Sequence, residues 1–131
     1  MKKTFTLLSM LLAGSLTFAQ SQRLVLVEAF SQASCAPCAA QNPALNAALD
    51  AAGTNTVVSV KYQTDWPGYD PMNEQNPSEV QTRVTYYNVT GVPARKLDGN
   101  QGTSITGATI STRQAVSAPF SLSVNHVFNA D

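Results

Sequence analysis

The chain of 131 residues balances eight basic against eight acidic side chains and carries two cysteines and one histidine. That balance leaves no basic stripe for nucleic acid, and two thiols with the single His126 fall short of the four ligands a structural metal site usually takes. The length suits one domain, large enough to bury a core without disulfide staples.

Residues 1–19 read as a secretory signal peptide. Lys2 and Lys3 supply the charged start, residues 5–16 a short apolar segment, and Thr17-Phe18-Ala19 the small residues of a cleavage site, so that Gln20 would open the mature chain. The apolar segment is shorter than the ~20 residues of a spanning helix, and the residue directly after the cleavage site is Gln20, not a cysteine that could carry a lipid. The expectation is an exported protein, periplasmic, outer-membrane-associated or secreted, with no stable membrane insertion once the signal is removed. In such a compartment a disulfide persists.

Residues 23–30 are nearly continuous apolar sequence interrupted by Glu28, the pattern of a strand buried on both faces. A polar turn follows, then Cys35-Ala36-Pro37-Cys38, then an Ala- and Leu-rich stretch over residues 39–52. Leu45, Ala48, Leu49 and Ala52 recur at helical spacing. Pro43 predicts a kink or a restart there, and Gly53 a stop. Val57, Val58, Val60 and Tyr62 predict a second central strand. Residues 64–77 form a long loop punctuated by Trp66-Pro67-Gly68 and Asp70-Pro71. A helix over residues 79–87 follows, with Ser78 as its N-cap and Val80, Val84 and Tyr87 on one face. Residues 94–97 predict a short strand, Asp98-Gly99 a hairpin turn, residues 103–105 a second short strand and residues 108–116 a last helix. Phe120, Leu122 and Val124 then alternate with polar residues as a strand does. We divide the chain into a signal peptide (1–19), one α/β domain (20–118), and a linker with the start of a possible β-rich domain (119–131).

The dithiol carries the chemistry. Placed where a strand hands over to a helix, Cys35 meets unpaired N–H groups and partial positive charge, both of which favour a thiolate. Cys38, two residues further on, can close a small disulfide ring with it. Two readings stand at this point: a redox-active pair, or a static structural disulfide.

The order strand, Cys-x-x-Cys, helix, strand, helix, Gly-Val-Pro, hairpin resembles the thioredoxin fold. The matching residues are Val25-Leu26-Val27-Glu28-Ala29-Phe30, the Cys35–Cys38 motif and Gly91-Val92-Pro93. The chain is most similar to exported thioredoxin-like proteins of Bacteroidetes, the group that includes Omp28-related outer-membrane proteins. There a loop like Asp65-Trp66-Pro67-Gly68-Tyr69-Asp70 follows the motif, and a β-rich domain commonly comes after. The resemblance implies an α/β fold with a central mixed sheet flanked by helices. It implies that Cys35 attacks a partner disulfide and Cys38 resolves the mixed disulfide. Pro93 matches the family's cis-proline, which leaves the backbone of Val92 free to pair with an extended substrate. Pro37 shapes the first helical turn and removes one N–H. Glu28 is the candidate for the family's buried acid, with Lys61 as its candidate partner. Ser34 stands where thioredoxins usually carry Trp, and Trp66 either replaces that apolar rim or covers the core.

The implied function is an exported thiol–disulfide oxidoreductase acting on protein or peptide disulfides and thiols, with no bound cofactor or metal. The alternative is a non-catalytic thioredoxin-like binding or scaffold module of the cell envelope.

Overall fold

Strand β1 (Val25–Ser31) and strand β2 (Val57–Gln63) pair in parallel, with Val25 opposite Val57 and Ala29 opposite Lys61. Helix α1 (Ala36–Ala52) makes the crossover. The computed structural model describes residues 22–101, 104–118, 125 and 127. The chain divides into two compact units, of which Arg23–Val116 is the one set out below. The predicted signal peptide, the alternating residues 120–124 and His126 lie outside the described residues.

Helix α2 (Pro77–Tyr86), strand β3 (Ala94–Leu97), strand β4 (Asn100–Gln101) and helix α3 (Gly107–Gln114) complete the unit. The sheet runs β2-β1-β3-β4, with β3 antiparallel to β1 and β4 antiparallel to β3. The fold is therefore α/β, a mixed sheet flanked by helices, and it is compatible with a thioredoxin-like arrangement. Among the described residues β2 is an edge strand, not the central one its valines suggested. Val58 and Val60 are accordingly exposed. Strand β1 is the buried centre.

The pleat of β1 sorts its side chains onto two faces. Val25, Val27 and Ala29 join Leu45 of α1, Val57 of β2, Leu97 of β3 and Ile110 of α3 in one apolar cluster. Phe30 points the other way and meets Val80 and Val84 of α2. Helices α1 and α3 thus cover one face and α2 the other. Removing Leu45 to alanine from such a site would cost about 2–5 kcal/mol.

Several boundaries shift for local reasons. Pro43 sits inside a helix that runs unbroken; the proline removes one internal hydrogen bond, and the packed Leu45 face outweighs it. Helix α2 begins at Pro77 with Asn76 as its cap, because proline at the first helical position lacks a hydrogen the helix would not use there. Of the predicted strand at residues 103–105, residue 103 lies outside the described residues and 104 and 105 are in no strand; β4 is the two-residue strand after the hairpin, and Ile105 enters the core. Asp98 and Gly99 form the expected two-residue turn, both with positive φ (49° and 79°).

Candidate functional site

Cys35 is the N-cap residue of α1, and the two sulfurs are joined (S–S 2.14 Å, Cα–Cα 5.2 Å). The Cys38 amide donates to Cys35 Sγ at 3.2 Å, so the sulfur takes the place that a serine or aspartate oxygen takes at an ordinary cap. Pro37 stands in the first turn. On the other side Cys35 Sγ lies 3.6 Å from the Val92 carbonyl oxygen, and the Val92–Pro93 peptide is cis. Cys35, Pro37, Cys38, Val92 and Pro93 are therefore brought together. Both cysteines are buried, Cys35 at 4 % and Cys38 at 1 % exposure.

Glu28 is elsewhere. It is fully buried, but its neighbours Val27 and Ala29 occupy the α1 face, so its side chain goes to the α2 face. Arg83 donates to it through Nε at 2.9 Å and through Nη2. Tyr62 donates through its hydroxyl at 3.1 Å, and the Tyr87 hydroxyl donates to the second carboxylate oxygen. The partner expected from the sequence, Lys61, is paired with Ala29 across the ladder and so lies on the α1 face. Its Nζ donates to Asn46 Oδ1 at 3.3 Å. Alternation along the strands puts Glu28 and Lys61 on opposite sides of the sheet, and Arg83 replaces Lys61 as the partner.

This cluster perturbs its members. Burial, and then the Glu28 carboxylate, push the Tyr87 phenol up to about 12 and the Tyr62 phenol up as well. The hydrogen bond to Glu28 raises the Arg83 guanidinium. Lys96, opposite Glu28 in the ladder, lies 5.2 Å from the Tyr87 ring centroid, and burial lowers its ammonium.

Trp66 packs against the Phe30 cluster, which is the core-cover placement. Its loop nevertheless reaches the dithiol through other residues. Gln32, 3 % exposed, donates from Nε2 to the carbonyls of Gly68 (2.7 Å) and Tyr69 (2.9 Å). Its Oε1 accepts from the amide and the hydroxyl of Ser34, both at 2.7 Å. Its own carbonyl accepts the Cys35 amide at 3.2 Å. Asp70, 2 % exposed, accepts from the Ala33 amide at 2.8 Å and the Met72 amide at 2.9 Å. Thr64, also buried, donates its hydroxyl to the Trp66 carbonyl at 2.7 Å. Loop and turn are thereby locked into one piece directly before Cys35.

Sequence reasoning missed Gln32, Asp70 and Arg83. For Arg83 a signal existed: it falls between Val80, Val84 and Tyr87 at helical spacing, on the stripe already assigned to the core. For Gln32 and Asp70 there was none, because their bonds join segments 36 and 37 residues apart.

Among the described residues no group of three or more His, Cys, Asp or Glu side chains is placed to hold a metal ion. No described helix is long and apolar enough to cross a membrane. No family model matches the chain, and no curated protein matches it.

Proposed function

We propose that the chain is an exported thiol–disulfide oxidoreductase that exchanges disulfides with protein or peptide substrates. The observation that carries this reading is the seat of Cys35. Its sulfur caps a helix N-terminus, receives the Cys38 amide, and lies beside the Val92 carbonyl next to Pro93. The helix terminus and the Cys38 amide make that a seat for a thiolate. A buried sulfur that only cross-linked two segments would not require it.

In the reducing direction the Cys35 thiolate attacks one sulfur of a substrate disulfide. A Cys35–substrate disulfide forms, and the second substrate sulfur leaves as a thiolate and takes up a proton. Cys38 gives up its proton and attacks Cys35 Sγ. The Cys35–Cys38 bond closes and the first substrate sulfur leaves. Two electrons pass from the pair to the substrate. The Val92 carbonyl is the acceptor on which an extended substrate backbone would align.

A second reading has its own observation. With Cys35 and Cys38 at 4 % and 1 % exposure, the bond is shielded as a structural disulfide in a scaffold module would be. The oxidoreductase reading requires the rim to yield when a partner docks.

The two readings part in one experiment. Reduced protein should show a Cys35 thiol titrating well below the ~8.5 of a free thiol and should turn over insulin disulfides. Cys35→Ser should abolish turnover, and Cys38→Ser should accumulate mixed disulfides. An ordinary thiol with no turnover makes the disulfide structural.

A further inference from the structure

The seat of Cys35 has a negative neighbour with no counter-ion. Asp70 is buried, and both of its carboxylate oxygens are taken by backbone amides, Ala33 and Met72. Among the described residues it is in no ion pair; those found there join Arg23 and Arg113 to Asp98 and Arg83 to Glu28. Residues 62–82 contain Asp65, Asp70, Glu74 and Glu79 but no lysine, arginine or histidine, and residues 31–49 contain no charged side chain at all. The cations that face α1 from the sheet are Arg95, which donates to the Gln41 carbonyl at 3.1 Å, and Lys61, which donates to Asn46. Lys61 is exposed, Arg95 is half-buried with a buried Nε, and both contacts lie beyond the first turn of the helix. Asp65 and Glu74 are exposed as well, where water screens them. Asp70 is, among the described residues, a buried carboxylate without a cation, on the turn that leads into Cys35. Its oxygen touches the amide two residues before Cys35, inside a turn closed by the Cys35 amide on the Gln32 carbonyl.

We infer that Asp70 sets the redox poise of the Cys35–Cys38 pair, disfavouring the Cys35 thiolate and biasing the protein toward donating electrons to partner disulfides. The inference rests on the oxidoreductase reading and adds a direction to it. The physical step is short. A thiolate stabilises the reduced form of a dithiol, and a well-stabilised one makes the disulfide a strong oxidant. A buried carboxylate close to the sulfur works against that stabilisation. For two unit charges about 10 Å apart, with the effective dielectric suited to buried sites, such repulsion corresponds to a rise of about one unit in a thiol titration. It offsets part of what the helix terminus contributes. The dithiol then gives up its two electrons and two protons to a substrate disulfide more readily, yielding the Cys35–Cys38 bond and two substrate thiols. A dithiol donor must restore the pair afterwards.

The test uses the full chain, equilibrated in glutathione buffers, with the Cys35 thiolate titrated by its ultraviolet absorbance. Asp70→Asn keeps an oxygen for the Ala33 amide and removes the charge. Asp70→Ser removes the charge and keeps a hydroxyl oxygen in the buried turn, and it decides the matter if Asp70→Asn fails to fold. Each should lower the Cys35 titration by about one unit and raise the reduced-to-oxidised ratio several-fold. Asp98→Asn, at the far end of β1, should move neither. Charge variants that fold and leave titration and ratio unchanged overturn the inference. A wild-type pair that exchanges with no thiol overturns the oxidoreductase reading itself, and with it this one.

Discussion

Strand β1 has a buried aspartate at each end, and the two are treated in opposite ways. At its amino end Asp98 accepts from Arg23 at 3.1 Å, from Arg113 at 2.9 Å and from the Leu26 amide at 2.8 Å. Two cations and one amide surround one carboxylate. At its carboxyl end Asp70 has two amides and, among the described residues, no cation. The first arrangement holds elements together: Asp98 ties the hairpin to the chain entering β1 and to α3. The second places a loop as well, but leaves its charge without a cation on the turn two residues before Cys35. Among the described buried carboxylates, the neutralised ones lie where the fold is fastened, and the unneutralised one lies on the turn before the dithiol. Glu28, in the middle of β1 with Arg83 on it, belongs with Asp98.

The comparison can be broken by substitution. Glu28→Ala should have the largest effect, because it strands Arg83 and two phenols against a buried strand; urea unfolding at neutral pH should show a loss of about 3–5 kcal/mol. If Glu28 serves the fold and not the thiols, the Cys35 titration in this variant stays where it was.

Asp98→Asn should cost about 2 kcal/mol, and its signature is a pH dependence. Burial pushes the Asp98 carboxyl up, but the Leu26 amide and the Arg113 and Arg23 guanidiniums outweigh it and hold the carboxyl below its ordinary value. A depressed folded-state value means that this contribution is complete above the unfolded-state value, near 4. It is lost as the pH falls through the folded-state value. Acid titration of stability should therefore be steeper for the wild type than for Asp98→Asn in that window, and the same slope in both would refute the assignment.

Lys61→Gln should have the smallest effect, within about 0.5 kcal/mol of wild type. Its ammonium makes one exposed bond to Asn46, and nothing on the Glu28 side of the sheet depends on it. A loss of several kcal/mol would restore the Glu28–Lys61 pair suggested by the sequence.

What the sequence revealed followed from local chemistry. Apolar runs gave β1 and β2, Gly53 the end of α1, Asp98-Gly99 the hairpin, and strand-to-helix placement put Cys35 at the cap. What it hid depended on register and distance. The edge position of β2 became visible only in the strand order, since a valine-rich strand reads alike at a centre and at an edge. Glu28 and Lys61 are both charged residues on adjacent strands, and only the pairing of Ala29 with Lys61 shows that they face apart. The turn around Gln32 looked like a polar connection of no consequence. Its meaning lies in carbonyls of Gly68 and Tyr69 that no periodicity could deliver.

Gly68 carries a last consequence. A methyl group at this position would stand 2.6 Å from Ser34 Oγ yet 3.7 Å from Ser34 Cβ. The backbone leaves room for one more atom, and at present the serine oxygen fills it. Positions 68 and 34 are thus joint tenants of a single vacancy. Relatives of this chain that carry a side chain at the first should have lost the hydroxyl at the second, and with it one of the grips on the amide of Gln32.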